Sequence, residues 1–553
     1  MLNALQIMLF AIAWFIFGYF WYGGKLGRKV LKVDKSRPTP SHTKYDGLDF
    51  VPTNPVVLFG HHFSAISGAG PIVGPILAYA LFGWLPALIW ILIGSVFMGA
   101  VHDFSALVIS IRNEGRSIVE IADGAVSRTA STLFAVFVWF TLALVQAVFS
   151  DLTAKTLIEE PGIAIPTIAL IAIAIIFGLM VYRLKINLFI STVFALVALG
   201  LSVWYGLGHP IYLSYDIWLI IIILYSFIAS IIPVWLLLQP RDYISTYILI
   251  IGMVIGIIGV IALNPTITGP AYISFVNQGT PLFPMLFVTI ACGAISGFHS
   301  LVASGTTAKQ LDSEKNAQKI AYGGMLTEGL LAVLVVTMVS SVLVWDPTGT
   351  SHNPNAFQGF LSQSAEIVFG NALGRVAQVL GIPLIVGVQF GILMLNAFIL
   401  TTLDASARLN RYVMQETLGI RFGGIFKNRY FASGSSLVFA YILCIGNGYQ
   451  AIWPIFGASN QLIGTLALFT ASAYLFGIKA PKWFTLIPAY IMLAITESSL
   501  FYQGLWLYLP QHNYLLLVIA AILFVLGIFV SVEATRKIFF SKEKLEPLIE
   551  KDK

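Results

Sequence analysis

Apolar residues run through this chain in long stretches, and most polar residues fall in the short pieces between them. About fifteen of these stretches are long enough for a helix to cross ~30 Å of hydrocarbon. They cover residues 2–22, 55–80, 84–111, 130–157, 163–182, 185–207, 216–237, 241–263, 283–304, 318–345, 380–403, 430–446, 449–476, 482–502 and 513–537. The pattern predicts an all-α polytopic membrane protein. Two further pieces, 116–129 and 361–376, read as short amphipathic or loop segments, either of them a place for a re-entrant turn.

Two of the apolar runs contain what a plain anchor would exclude. Residues 59–78 read FGHHFSAISGAGPIVGPILA, with two adjacent histidines, two serines, four glycines and two prolines. Residues 60–68, GHHFSAISG, share the pattern G-x-H-x-x-x-x-S-G with residues 297–305, GFHSLVASG. Gly60, His62, Ser67 and Gly68 thereby match Gly297, His299, Ser304 and Gly305. Seven spans begin from residue 55 up to the second copy. Seven is odd, so the two copies run in opposite directions. The predicted organisation is a leading span with a basic loop (1–48), a first inverted half (49–263), a second inverted half (264–537) and a short tail (538–553). A weaker echo pairs LVQAVF (144–149) with LNAFIL (395–400), each followed by an aspartate, Asp151 and Asp404.

Interrupted helices at matched places in inverted halves are the sequence mark of a secondary transporter. A broken helix frees backbone N–H and C=O groups at membrane depth, and these must face protein, water or solute rather than lipid. The N-terminus of a half-helix offers unpaired donors and partial positive charge, which suit a carboxylate. Gly68 and Gly70 allow close backbone approach, and Pro71 and Pro75 break the ladder. Candidate substrate contacts are His61, His62, Ser64, Ser67, His299, Ser300, Ser304 and Thr307, with Asn460 and Gln461 along the path. Each has a plainer alternative: a histidine satisfied by a neighbouring helix, a hydroxyl bonded back to its own helix, an amide bonding between helices. His62, His299 and Asp103 are candidate proton carriers, since histidine titrates near neutral pH and an intramembrane carboxylate is functional by default. Glu328 and Glu497 are further buried candidates. Gln239, Arg241 and Asp242 read as a helix-start cap with an ion pair. Lys309, Lys315 and Lys319 read as flanking residues.

Charge adds direction. Of 553 residues 58% are hydrophobic and 10% charged, and with the loop 23–54 placed in the cytoplasm, 29 of the 31 lysines and arginines fall on that side. Lys155 and Arg375 fall opposite. This asymmetry puts the N-terminus outside and the C-terminus inside. Residues 2–22 have no basic region before them and read as a retained span rather than a signal peptide. Cys292 and Cys444 lie in apolar spans and suggest buried thiols, neither a disulfide nor a metal site. No H-E-x-x-H pair or nucleophile–base set points to an enzyme. The basic residues are scattered over loops, so nucleic-acid binding is not expected. Nothing in the sequence specifies an oligomeric state.

Five stretches carry a family resemblance: VPTNPVVLFGHHFSAISGAGPIVGPILA (51–78), IPVWLLLQPRDYIST (232–246), FVTIACGAISGFHSLVASGTTAKQL (287–311), LTTLDASARLNRYVMQE (400–416) and WPIFGASNQLIGTLAL (453–468). Taken in order, they resemble the carbon starvation protein A family. The resemblance implies an inner (plasma) membrane secondary transporter of the amino acid–polyamine–organocation superfamily, importing peptides or pyruvate with protons as the driving ion. It marks Thr306 and Asp404, with His61, His62, Ser64, Gly68, Gly70, Pro71, His299, Ser304, Thr307, Asn460 and Gln461, as motif residues; Asp404 joins the candidate proton carriers. The expected partners are a small solute and membrane lipid, with no cofactor beyond the ion gradient. Sodium coupling through unwound carbonyls and Ser304 or Thr307 is the competing scheme, and a non-transporting nutrient sensor is the competing function. The implied LeuT-like plan has five-plus-five spans with the first and sixth broken. The seven-span offset fits it if two extra spans follow each half, and it also fits a seven-plus-seven arrangement.

Overall fold

The apolar runs fold as helices in the computed structural model, which describes residues 3–346, 356–357, 364–446 and 449–540. In chain order they are α1 (Ala4–Val30), α2 (Pro55–Ser67) and α3 (Gly70–Phe82) forming one broken crossing, α4 (Trp84–Arg112), the short α5 (Ile118–Ala125), α6 (Arg128–Glu159), α7 (Pro161–Arg183), α8 (Leu188–Gly208), α9 (Tyr215–Ile231) and α10 (Leu238–Leu263). The second broken crossing is α11 (Leu282–Thr289) and α12 (297–310). Then come α13 (Glu314–Val342), α14 (Ala365–Gln378), α15 (Leu384–Leu418), α16 (Arg429–Gly446), α17 (Tyr449–Gly477), α18 (Trp483–Tyr508) and α19 (Tyr514–Phe540). Among the described residues, twelve helices are long and apolar enough to cross a membrane, and α9 and α16 are shorter apolar ones. With the broken α11–α12 crossing they match the fifteen predicted spans. The piece at 116–129 becomes α5 and part of 361–376 becomes α14; residues 361–363 and most of the tail, 541–553, lie outside the described residues.

Helix α1 corrects one boundary. It continues eight residues beyond the predicted span, through Lys25, Arg28 and Lys29. Their long side chains carry charge away from the helix without ending it, and the Lys25 ammonium lies 4.1 Å from the Trp21 ring centroid. Local signals place the other starts. The Asn54 side chain accepts a hydrogen bond from Val56 N at 2.9 Å ahead of Pro55, a cap and first-turn proline in their favoured places.

Packing defines the repeat. Helix α6 lies against α15 at the centre, and the contacts on either side come in matched pairs. Helix α10 packs on α2 as α17 packs on α12; α10 on α15 as α17 on α6; α9 on α15 as α16 on α6; α10 on α14 as α17 on α5. The equivalent elements are therefore α2–α3 and α11–α12, α4 and α13, α5 and α14, α6 and α15, α9 and α16, α10 and α17. The α7–α8 hairpin is inserted between α6 and α9 of the first half, and α18–α19 follow the second half. Of the alternatives left open above, a pair following a five-span half describes the second half, while the first half carries its pair inside. Hydropathy counts spans but cannot tell an inserted pair from an appended one. The weak 144–149 and 395–400 echo falls on α6 and α15, equivalent helices in this packing.

One end of the bundle is covered by the segment 31–54. Thr53 N donates to Gln310 O at 3.1 Å, Ser41 Oγ to Leu311 O at 2.7 Å and Thr39 Oγ1 to Asp312 O at 3.1 Å. Asp49 receives Arg408 Nη1 at 3.2 Å and the Tyr412 hydroxyl, with Arg411 Nη2 at 3.8 Å. Burial pushes the Asp49 carboxyl up, but Arg408 and Arg411 more than offset it and hold it below the usual carboxylate range. Lys309, read above as a flanking residue, is instead buried, its ammonium 2.7 Å from Glu416 Oε1 and 4.0 Å from the Tyr412 ring centroid. Lys315 and Lys319 are exposed as expected.

Glu120 on α5 stands at this end, 3.6 Å from Arg116. Burial and then the nearby Glu416 raise its pKa to about 7. A carboxyl whose folded value lies above its unfolded value of about 4.3 contributes most at low pH, and that contribution is lost as pH rises through this window. Glu120→Gln is therefore expected to melt higher than the parent above pH 7, with the gap closing as pH falls toward about 4.3. Thermal melts in detergent across that range check it.

Candidate functional site

The first break is two residues wide. Helix α2 ends at Ser67, Gly68 adopts φ +35° and ψ −156°, and α3 begins at Gly70. Only glycine takes that backbone conformation cheaply, and a Cβ there would stand 2.9 Å from Thr402 Oγ1 and 3.3 Å from the Phe149 ring. The break thus touches both central helices, α6 and α15. Thr402 Oγ1 donates to the freed Ala65 carbonyl at 3.0 Å. A Cβ on Gly70 would collide with Cys292, inside the second break. The two breaks lie against each other, and only small residues permit it.

The second break is wider, residues 290–296, between α11 and α12. Asn460 on α17 spans it. Its Oδ1 accepts from Phe298 N at 2.8 Å, and its Nδ2 donates to Ser296 Oγ at 3.0 Å and Cys292 Sγ at 3.2 Å. One donor freed at the start of α12 is therefore taken by a side-chain amide. Gly297 and Gly464 bring α12 and α17 into backbone contact.

Beside the breaks lie two clusters of ionisable side chains, buried except for the partly buried Tyr225. In the first, His299 stands between two carboxylates. Its Nδ1 is 3.2 Å from Asp103 Oδ2 on α4, and its Nε2 is 3.1 Å from Glu328 Oε2 on α13. The second approach is close but off the hydrogen-bond direction, so both Glu328 oxygens lack a hydrogen-bond partner among the described residues. His102 Nδ1 lies 2.7 Å from Asp103 Oδ1, also off-axis. In the second cluster, His61 Nδ1 is 2.7 Å from Asp242 Oδ2, and Arg241 reaches Asp404, the Tyr225 hydroxyl and, at 3.5 Å, Asp242 Oδ1. Tyr225 donates to Asp404 Oδ2 at 2.6 Å. Buried charges persist only when paired, and both clusters pair groups from several helices: α4, α12 and α13 in the first, α2, α9, α10 and α15 in the second.

The predicted site residues divide accordingly. His62 bridges the broken crossings, its Nδ1 2.8 Å from Thr307 Oγ1, with Nε2 unpartnered among the described residues. The Ser64 and Ser67 hydroxyls are buried and likewise unpartnered. Ser300 bonds back to Gly297 O, Thr306 to Val302 O and Ser304 to Ser300 O, while Ser304 Oγ also accepts from Ile118 N at 3.1 Å. Gln461 Oε1 accepts from Thr496 at 3.3 Å and its Nε2 is unpartnered. The two matched histidines do not meet equivalent partners: His299 faces carboxylates and His62 a hydroxyl. The reading of Gln239, Arg241 and Asp242 as a helix-start cap is corrected. None caps α10, and their bonds run to other parts of the fold because three closely spaced polar or charged groups inside the bundle must find partners there. Gln146 and Ser150 on α6, buried and unpartnered, were not singled out in the sequence. The consecutive polar positions of QPRDY signal the second cluster; nothing in the α6 run marks Gln146. Among the described residues, no group of three or more His, Cys, Asp or Glu side chains is arranged to hold a metal.

Comparison with known proteins gives this geometry its context. The profile of the family described as carbon starvation protein CstA matches residues 3–368 and 359–499. Peptide transporter CstA of Escherichia coli (strain K12) is 34% identical over 567 residues, covering 90% of this chain and 81% of that protein. Pyruvate/proton symporter BtsT of the same strain is 31% identical over 584 residues, again covering 90% and 81%. A crystal structure of the Eremococcus coleocola manganese transporter superposes with a TM-score of 0.54 at 12% identity, over 89% of this chain and 98% of that one. At that identity the likeness shows the fold alone, an inverted-repeat, LeuT-like transporter core. These relatives are transporters rather than enzymes, and their likeness together with the membrane-length helices makes this a multi-pass membrane transporter. The stretches that build both breaks and the Arg241–Asp404 cluster lie within the matched residues, and the chain belongs to the carbon starvation protein CstA family.

Proposed function

We propose that this chain is a proton-coupled importer of small carboxylate-bearing solutes, peptides or pyruvate, working by alternating access in the plasma membrane. The observation that carries the proposal is His299 held between Asp103 and Glu328, all fully buried. Two carboxylates and an imidazole so close cannot all carry their ordinary charge without water, so the cluster takes up protons readily and gives them back when wetted. The solute sits near the midplane between the two breaks. Freed backbone groups and the open Ser64 and Ser67 hydroxyls hold its carboxylate there, and His62 and His299 couple it to the proton. The basic residues orient the chain with its N-terminus outside and its C-terminus in the cytoplasm, so the segment 31–54 closes the cytoplasmic mouth.

Protons are favoured over sodium for a local reason. The hydroxyls a sodium site would recruit are engaged, Ser304 with Ser300 O and Ile118 N and Thr307 with His62, whereas titratable groups crowd the breaks. The solute class rests on the relatives named for peptide and for pyruvate transport.

Uptake of labelled pyruvate into proteoliposomes, with and without an inward proton gradient and with unlabelled di- and tripeptides as competitors, tests the proposal. Gradient-dependent accumulation of pyruvate or of labelled peptide is the expected result and decides the solute. Movement of neither under a proton gradient overturns it, and accumulation under a sodium gradient alone transfers the coupling to sodium.

A further inference from the structure

The second cluster holds more than a structural ion pair requires. Arg241 is its one fixed cation, and two carboxylates, Asp242 and Asp404, share it. All three, with His61, are fully buried. With His61 neutral the cluster is one positive charge short, a deficit that low-dielectric surroundings penalise and a bound proton removes.

The hydrogen bonds say where that proton acts. His61 Nδ1 serves Asp242 Oδ2 at 2.7 Å, and its Nε2 lies 3.4 Å from Gln310 Nε2. A ring nitrogen facing an amide N–H accepts, so Nε2 offers its lone pair to Gln310 in this arrangement. The Gln310 side-chain oxygen accepts from Gln239 Nε2, which also donates to Thr53 Oγ1 at 3.0 Å. Gln239 Oε1 in turn accepts from Tyr182 at 2.9 Å. Thr53 also forms the backbone bond to Gln310 that closes the mouth. A proton on His61 Nε2 makes that nitrogen a donor. Gln310 then turns its oxygen toward His61 and releases Gln239, the side chain that also holds Thr53 Oγ1.

We infer that His61, Asp242, Arg241 and Asp404 form a one-proton site whose occupation at His61 Nε2 unlocks the mouth closed by residues 31–54. This deepens the proton-coupling reading and rests on it. The proton arrives from the solute pathway, forms the N–H bond at Nε2 and brings the cluster to zero net charge. When the open mouth admits water, that bond breaks, the proton leaves and Gln310 returns to Gln239.

Other titratable groups face this one. Arg241 and Asp242 come from α10, Asp404 from α15 and Tyr225 from α9. Glu328 and His299 lie on α13 and α12, which also pack against α2, and are engaged with each other. His62, next to His61 on α2, bonds Thr307 on α12 and lies against Gly324 on α13. At the mouth itself, His42 lies 2.8 Å from Asp312, and Glu120 stands on α5.

Spin labels at the exposed positions Leu48 and Phe422, introduced as Leu48→Cys and Phe422→Cys with Cys292 and Cys444 replaced by serine, report the width of the mouth by pulsed electron resonance on the full chain. In this parent, lowering the pH from about 8 to about 5, the histidine range, is expected to shift the population toward the longer distance. His61→Gln, which has no seat for the proton, and Asp404→Asn, which removes the charge deficit, are each expected to abolish the shift. His42 and Glu120 remain in both variants and cannot account for the loss. A shift that persists at parental size in both variants overturns the inference, as does a parent with no shift. If His61→Gln fails to fold, Asp404→Asn decides alone. A shift abolished in the variants, in a protein whose uptake ignores a proton gradient, keeps the proton site and rejects the coupling.

Discussion

Gly297→Ala is expected to abolish transport and to lower the yield of folded protein sharply. Gly297 opens α12 at the second break, and a Cβ there would fall within bonding range of Gly464 N and Asn460 O and against Ile463. The first two are backbone atoms of α17 and cannot rotate away. Overpacking in a filled core costs about 1–3 kcal/mol when side chains can adjust, and here the cost lies at or beyond the top of that range. The displacement is also functional, because His299 sits two residues along the same helix and must stay between Asp103 and Glu328. Two other glycines give the contrast. A Cβ on Gly305, in the same helix, would meet only the Leu409 side chain, so Gly305→Ala is expected to be mild. A Cβ on Gly200 meets nothing within 4 Å, so Gly200→Ala is expected to be neutral or stabilising by up to about 1 kcal/mol from helix propensity. Uptake and thermal melts of the three variants check the order. Equal behaviour of Gly297→Ala and Gly305→Ala would show that the approach of α12 to α17 does not matter.

Glu328→Gln is expected to reduce proton-driven accumulation to the level of protein-free vesicles, while exchange of labelled for unlabelled solute at equal pH continues. The substitution keeps the side chain's size and removes only its ability to carry charge. Glu328 has no hydrogen-bond partner among the described residues, so little packing is lost, while the off-axis carboxylate beside His299 disappears. His299→Gln is expected to behave likewise, since it removes the titratable ring that Asp103 and Glu328 flank. Exchange needs binding and isomerisation but no net proton movement, so it separates a coupling defect from misfolding. Normal accumulation in both variants would remove the cluster from the coupling role.

Much of this was legible in the chain. The two interrupted runs, their shared glycines, serines and histidines, and the odd number of spans between them foretold broken helices running in opposite directions. Glycine at positive φ and proline at a helix start are local requirements, and local requirements are written where they act. The side-chain roles were less legible. His62 and His299 occupy matched positions and read alike, yet one meets Thr307 and the other two carboxylates, because Asp103 of α4 and Glu328 of α13 reach only the second. Ser300 and Ser304 left two readings open, solute contact or a bond back to their own helix; in the structure both, with Thr306, bond back. Arg241 and Lys309 read as terminal and flanking charges, and both are buried.

The sequence by itself determined the class, the presence of two interrupted crossings and the family. These follow from hydropathy, charge and short motifs, each a property of a few adjacent residues. Only the tertiary structure decided the order of the repeat, with the α7–α8 hairpin inside the first half, and the membership of the two ionisable clusters. Both depend on which helices touch. That choice is made by small residues such as Gly70, Gly297 and Gly464, whose contacts lie hundreds of positions away in the chain or across a break, beyond the reach of any local pattern.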